Sequence, residues 1–492
     1  MVTVHVKMAT FSSLHLSSEV VVAETTTEQK PMQKKRSWFS KWFLRLISAI
    51  VLLFFVAAIY TFGSRYIASR RAQNLLSTIS ESGLPTTREE ARRYYESLQT
   101  EPNLSNDWMN VFQSFEESNL EADREELTKH GRLFPSLFDG DTPDLAEDVD
   151  RLEAFTSKHS ALIEQVRTTA RKSGYVDLFN YDKATFSPEM RQLRRAVFLL
   201  ACDAVVAIER GDVERFQESV EGILQIAQLT GNAPLLGGQL VRFAVIGPGC
   251  NVVHHALSRL QLPLETSERL ASKLHELDLF DSFRRGLVGE RALMAECFRD
   301  LQLWEYADRL TAWSKFYVEL NAPADLCFYL EQLQIMIDAL DKTPQEAFQI
   351  ADSITQIEDR ERVPPISATL VPAFRAFMVP IMRTTFHADA CRTGLAIENY
   401  RAKNHQIPKS LDDLVPEFLD NVPIDNLDGK PLRFETTAKG YRIYSVGHNG
   451  KDGEGPGSLY RFGPKLVIEV PRTRDLIERQ REAHERELQH FR

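Results

Sequence analysis

The sequence predicts a mainly α protein: a transmembrane anchor, an irregular helical bundle, then a small α+β domain with a short antiparallel sheet. Three observations carry this. One uncharged apolar segment is long enough to cross a bilayer, apolar residues recur at helical spacing from Thr86 to about His405, and the pattern near the carboxyl end changes to alternation punctuated by glycine turns.

The anchor comes first. Residues 46–63, opening on Leu46 and closing on Gly63, read LISAIVLLFFVAAIYTFG. As a helix they cover about 27 Å, close to the hydrocarbon thickness of a bilayer, and satisfy their own backbone groups there. Lys34, Lys35, Arg36, Lys41 and Arg45 precede the segment and Arg65, Arg70 and Arg71 follow it. The positive-inside bias therefore favours a cytoplasmic amino end and a large extracytoplasmic region. Trp38, Trp42, Tyr60 and Tyr66 fall near its two edges, where amphipathic rings prefer to lie. A cleaved signal peptide is the competing reading, disfavoured by the late start, the long apolar run and the lack of a small-x-small site. Residues 1–37 are expected as a disordered cytoplasmic tail, or as the result of a start placed upstream of the real one, and residues 38–71 as the anchor.

Composition narrows the partners. The 59 basic and 69 acidic residues give a net charge of −10, and no basic stripe stands out beyond the juxtamembrane cluster, which argues against nucleic acid. The chain is long enough for one large or two smaller cores besides the span. Cys202, Cys250, Cys297, Cys327 and Cys391 are widely spaced and odd in number. Buried small hydrophobes are expected rather than a disulfide framework, with one or two pairs still open outside the cytoplasm.

A helical domain is expected over residues 72–365. Helix starts are marked where a side-chain acceptor precedes a proline or an acid, at Thr86 with Glu89, Thr142 with Pro143, Ser187 with Pro188, and Thr343 with Pro344 and Glu346. Gly211 suits a left-handed helix end and Asp212 caps the next helix. Beyond that turn Phe216, Val220, Ile223, Leu224 and Ala227 share one face, while residues 196–208 are apolar nearly all round and predict a central helix. Residues 191–231 thus resemble one tetratricopeptide-like unit. No second copy follows at a fixed period, so an irregular bundle is expected instead.

Residues 366–471 predict a long helix and the α+β domain. Asp428–Gly429 is a turn dipeptide, residues 432–434 and 441–446 alternate as half-buried strands joined through a loop with Gly440, and both pack on a helix over 381–404. Residues 465–470 are a further candidate strand. Pro471 then ends it before a charged terminal helix over 473–491, within a last segment of 472–492.

Residues 389–455 resemble the carboxyl-terminal globular region of the type II secretion major pseudopilin. The resemblance rests on a helix ending in Tyr400, on Pro408, Leu411 and Leu414, on Pro423 and Asp425 with Gly429, Pro431 and Leu432, and on Tyr441, Ser445 and Gly447 before a Gly/Asp loop. It implies a common local fold. Working pseudopilins also carry a prepilin-peptidase site and a Glu five positions into the apolar helix. Neither is present around residues 46–63, so polymerisation as a pilus subunit is not expected. In that family the last loop can bind calcium, which makes Asn449 and Asp452 the candidate metal ligands, with Ser445 and Glu454 nearby. The acids that should follow are replaced by Ser458, Leu459 and Tyr460, and a hard cation wants six or more oxygens. A plain turn tolerant of positive φ is the competing reading; no other cofactor is expected.

Other candidate chemistry resolves into packing. His387 and Cys391 lie four apart on one helix face without further ligands at usable spacing, which favours core packing over metal. His254 and His255 point in different directions on a helix, so one is expected buried and one exposed. Gly237–Gly238–Gln239 resembles the tripeptide of release factors, read here as coincidence. The run Gly286–Leu287–Val288–Gly289–Glu290–Arg291 lacks a phosphate-loop lysine and follows helical periodicity. Its Glu290 and Arg291 are expected as an inward-facing ion pair. Adjacent acids such as Glu116–Glu117, Glu125–Glu126 and Asp412–Asp413 are read as solvated faces, and no catalytic residue is assigned.

The layout resembles uncharacterised bacterial single-span proteins with a helical region and a pseudopilin-like tail. It implies an inner-membrane protein held by the lipid bilayer through residues 46–63. The first expectation for its role is a noncatalytic envelope scaffold with protein partners. The alternatives are an accessory component of a type II secretion or pilus-like machine, and an enzyme whose site is assembled from dispersed residues.

Overall fold

In the computed structural model of the chain, contacts separate two units, residues 1–63 and 64–492. The structure describes residues 35–129, 149–182, 185–187, 189–300, 311–355, 364, 366–371, 373–438, 440–446 and 467–471, with backbone alone for 35–40, 355, 369, 373 and 375. The tail over 1–34, the helix start at Thr142 and Pro143, Pro188, the candidate ligands Asn449 and Asp452 with Glu454, and the terminal helix over 473–491 lie outside these residues.

Helix α1, Lys35–Glu81, contains the apolar segment. Among the described residues, Lys41–Glu81 is the one helix long and apolar enough to cross a membrane, and none of its apolar window is buried. The larger unit begins on the same helix, where Ala72, Leu76 and Ile79 share a buried face.

Helix α2, Arg88–Leu98, starts one residue later than expected. Thr87 accepts the Glu90 amide as the cap, while the amide and hydroxyl of Thr86 both donate to the Glu90 carboxylate at 2.8 and 2.9 Å. The acid three residues beyond the cap is the one that reaches back, and from Thr87 that acid is Glu90, not Glu89. α3 (Ser105–Glu117), α4 (Leu120–Lys129), α5 (Val149–Lys158) and α6 (Ser160–Ala170) follow. A two-strand hairpin, β1 (Phe179–Asn180) with β2 (Thr185–Phe186), then interrupts a stretch expected to be almost wholly helical. Strands of two residues are too short to register as alternation.

Helices α7 (Met190–Arg210) and α8 (Val213–Leu229) form the expected hairpin, with Gly211 at φ 72° and the Asp212 side chain accepting the Arg215 amide. Every residue from Ala196 to Ile208 is buried. So are Phe216, Val220, Ile223, Leu224 and Ala227 of α8, the four large side chains each worth roughly 1.5–3 kcal/mol when removed from water. One charge sits inside this apolar column. Asp203, 2% exposed, accepts from Arg167 of α6, from Arg215 Nε and Nη2 at 3.0 and 2.7 Å, and from the Ser219 hydroxyl at 2.7 Å.

The remaining helices are α9 (Leu236–Arg259), α10 (Leu264–His275), α11 (Leu279–Arg299), α12 (Ala312–Ala339), α13 (Pro344–Thr355), the short α14 (Ser367–Leu370) and α15 (Ala373–Asn404). Thr343 and Glu346 form the expected reciprocal cap of α13. α9 is the hub, packing on α7, α8, α11 and α15.

After a 3-10 turn at Leu411–Leu414 come β3 (Arg433–Thr437), β4 (Gly440–Tyr444) and β5 (Val467–Pro471), antiparallel in that order. Tyr441, Ile443, Ile468 and Val470 alternate as the buried face, and β4 and β5 rest on α15. Gly429 turns at φ 71°. Asp425, 2% exposed, gathers the segments before and after it, accepting from Arg433 at 2.7 Å, the Ser445 hydroxyl at 2.7 Å and the Val446 amide at 2.9 Å. One cluster of buried side chains runs from Ala72 to Val470.

Asp203→Ala leaves two arginines facing an apolar column, and removing one partner of a buried ion pair costs roughly 3–5 kcal/mol. Thermal unfolding of the full chain in mild detergent should show a marked fall in midpoint. An unchanged midpoint would show the cluster to be dispensable.

Candidate functional site

The most site-like hollow among the described residues lies where α2, the β1–β2 hairpin and the turn between α8 and α9 meet. It is a cleft of about 170 Å³ whose walls include Tyr95, Tyr175, Phe179, Tyr181 and Phe186. The rings support one another edge to face, Phe179 with Tyr181 at 4.8 Å and with Phe186 at 5.2 Å between centroids. The Arg92 guanidinium covers the outer face of Tyr181 at 5.7 Å. Polar groups at the rim are Glu96, Gln99, Asn103, Asp177, Thr230 and Asn232. The volume is below that of a drug-sized pocket; it fits one ring or one side chain.

Beneath the cleft two sequence features that had no function assigned meet each other. Gln239, at the start of α9, faces Gly286 of α11, while neighbouring Gly238 and Gly289 meet Phe186 and the turn before α9. A Cβ on Gly289 would lie 2.0 Å from the Pro234 carbonyl and 2.6 Å from the Tyr95 hydroxyl, one on Gly286 would lie 2.9 Å from Gln239 Cγ, and one on Gly238 2.7 Å from the Phe186 ring. The glycines are there because the helices and the turn approach too closely for any side chain. Neither the release-factor-like tripeptide nor the Gly-x-x-Gly run is an exposed loop. Gln239 is fully buried and its amide donates to the Ala233 carbonyl at 3.1 Å.

Glu290 and Arg291 do not pair, contrary to expectation. Neighbours on a helix diverge by about 100°, and each finds a separate partner. Glu290 accepts the Leu236 amide at 3.2 Å, at the start of α9, and Arg291, 1% exposed, donates to Gln334 Oε1 at 2.6 Å. Burial pushes the Glu290 carboxyl up to about 7 against the opposing pull of that amide, and lowers Arg291 to about 10. Among the described residues, Arg291 Nε and Nη2 and Gln239 Oε1 are buried without a hydrogen-bond partner. The Tyr95 hydroxyl donates to the Arg285 carbonyl, so it holds α2 against α11 and is not a free acid.

The histidines behave differently from expectation too. Both His254 and His255 are buried, at 7% and 4% exposure. Their divergence sends one to each side of α9: His254 Nε2 donates to the Glu469 carbonyl of β5 at 2.7 Å, and His255 Nε2 meets Glu209 of α7 at 2.8 Å. Burial lowers His254 to about 4, leaving a neutral ring. His387 packs against Phe386, and the Cys391 thiol donates to the Cys250 carbonyl at 3.2 Å. All five cysteines are buried free thiols. Among the described residues no group of three or more His, Cys, Asp or Glu could hold a metal ion. Ser445, placed near the candidate calcium loop by sequence, is committed to Asp425.

The cleft presents stacked rings that suit an apolar ring or side chain, with amides and carboxylates at the rim that suit a polar edge. Sequence reasoning missed this cleft because its rings come from residues 95, 175, 179, 181 and 186, brought together by a hairpin it did not detect. The paired glycines were its only visible signal.

The raised Glu290 carboxyl makes stability depend on pH. Its folded value of about 7 lies above the unfolded reference of 4.5, so the folded state keeps a proton that the unfolded state has lost, and stability falls as pH rises from 4.5 through 7. At 1.36 kcal/mol per pKa unit the effect reaches about 3 kcal/mol. Glu290→Gln should flatten that slope in thermal unfolding followed from pH 5 to 8; an unaltered slope would place its origin elsewhere. No protein-family model, curated protein or solved structure matches this chain, so its function is read from the chain itself.

Proposed function

We propose that this protein is a single-span membrane scaffold, a noncatalytic body held at the bilayer by residues 46–63 and bound by other proteins. The observation that carries the reading is α1. Its apolar window is wholly unburied, while further along the same helix Ala72, Leu76 and Ile79 enter the core of the larger unit. A helix so apolar and uncovered has a solvent in lipid, and the body is continuous with it. The aromatic cleft supplies one place for a partner's side chain.

The flanking charges favour a cytoplasmic amino end, which puts the body on the extracytoplasmic side of a bacterial inner membrane. A second reading, an accessory part of a type II secretion or pilus-like machine, draws on the order of elements in the tail. Long α15, a short 3-10 turn and an antiparallel β3–β4–β5 sheet follow the sequence that the pseudopilin resemblance implies. Docking to true pseudopilins would then be the role of that sheet.

The full chain should stay with membranes through alkaline carbonate extraction, and protease added outside spheroplasts should digest the body. Affinity isolation in mild detergent should retain a defined protein at constant stoichiometry. Retention of pseudopilins would select the second reading. Release by carbonate would remove the anchor, and isolation without any stoichiometric protein would remove the scaffold.

A further inference from the structure

We infer that the first turns of α12 form a second membrane contact, an aromatic foot resting in the interfacial layer of the lipid bilayer. The inference rests on the reading of residues 46–63 as membrane-spanning.

The geometry comes from how α12 runs beside the carboxyl part of α1. Arg65 Nη1 donates to the Glu319 carbonyl at 2.6 Å, and Arg71 pairs with Glu331 at 2.7 Å. Contact positions therefore advance along both helices together, and the two segments run parallel. Arg65 stands two residues after Gly63, where the apolar segment ends. Within the larger unit, going back along α12 from Glu319 thus leads towards the end of its α1 segment that continues in sequence into the apolar run.

The residues met in that direction are Phe316, Tyr317 and Trp313, exposed by 54, 51 and 76%. Trp313 and Phe316 lie 5.7 Å apart between ring centroids. At 3.6 residues per turn the three rings occupy an arc of about 100°. No residue of α12 before Ala322 is buried, whereas Leu326, Leu330, Leu333 and Met336 beyond it enter the core. The larger unit thus leaves the first turns of α12 unburied at the end held next to Arg65. Trp and Tyr concentrate at the membrane interface, where the ring is desolvated and its polar edge stays wet.

Charge does not explain the position. A cleft of about 450 Å³ between the two helices is lined by Arg65 and Arg299 but also by Asp300 and Glu319, so its signs balance, and Lys315 is the only other cation among the first turns. The contact is aromatic, and it does not require anionic lipid.

The test places a solvatochromic thiol label on Phe316→Cys, or on Tyr317→Cys if the first does not fold, in the full chain reconstituted into phosphatidylcholine vesicles. The native thiols are buried and do not compete. Asp412→Cys, exposed in the 3-10 turn on α15, is the reference. Lipid-borne nitroxide should remove at least half of the emission at 316 and leave 412 unaffected, equally with and without phosphatidylglycerol. Three results overturn the foot while the protein still floats with vesicles: equal quenching at 316 and 412, quenching only with anionic lipid, or protection of 316 from lipid-borne and aqueous quenchers alike, which would put protein there instead. Failure of the chain to float with vesicles removes the span itself, and the foot with it.

Discussion

Asp203 is the constraint around which the bundle is arranged. α7 is apolar on nearly every side, so it must be enclosed, and a carboxylate at its centre must be neutralised inside that enclosure. Arg167 arrives from α6 and Arg215 from α8, and Ser219 supplies a third donor. Because Arg215 and Ser219 have to face Asp203, the register of α8 is set, and Phe216, Val220 and Ile223 are turned onto the same column. An apolar residue at 203 would pack as well without selecting that register.

A second set of polar groups does the corresponding work on α9. Its sequence is apolar with little preference of face, and burial alone would allow it several rotations. Gln239, Arg242, His254 and His255 remove that freedom because each has a different neighbour. Arg242 bonds the Ala227 carbonyl at the end of α8 and the Ser282 hydroxyl of α11, His255 meets α7, and His254 bonds β5. The tail is therefore joined to the bundle through a neutral ring and a backbone carbonyl, a link that needs no ion pair.

What could be read from sequence was whatever local chemistry decides. Gly211 with Asp212, Thr343 with Glu346, the single face of α8 and the Asp428–Gly429 turn depend on neighbours a few residues away, and all are present as expected. Failures came where distant residues decide. One of His254 and His255 reads as exposed until β5 and Glu209 are placed on the two sides of α9, and Glu290 with Arg291 read as a pair until α9 and Gln334 claim one each. Pro248, Pro323 and Pro380 lie inside helices that local rules would have ended. Tertiary packing holds those helices together. The aromatic cleft was illegible for the same reason, since no short window contains more than part of its wall.

The close approach of α9 and α11 has a consequence for that cleft. Glycine at 238, 286 and 289 lets backbone meet backbone and ring, which brings Phe186 and Tyr95 to their places in the wall. At the same approach Gln239, packed against Gly286, keeps its Oε1 buried without a hydrogen-bond partner among the described residues. An unsatisfied buried polar atom costs roughly 1–3 kcal/mol. The wall of the cleft is therefore built at the expense of local stability, and its shape depends on three positions where no side chain can be added.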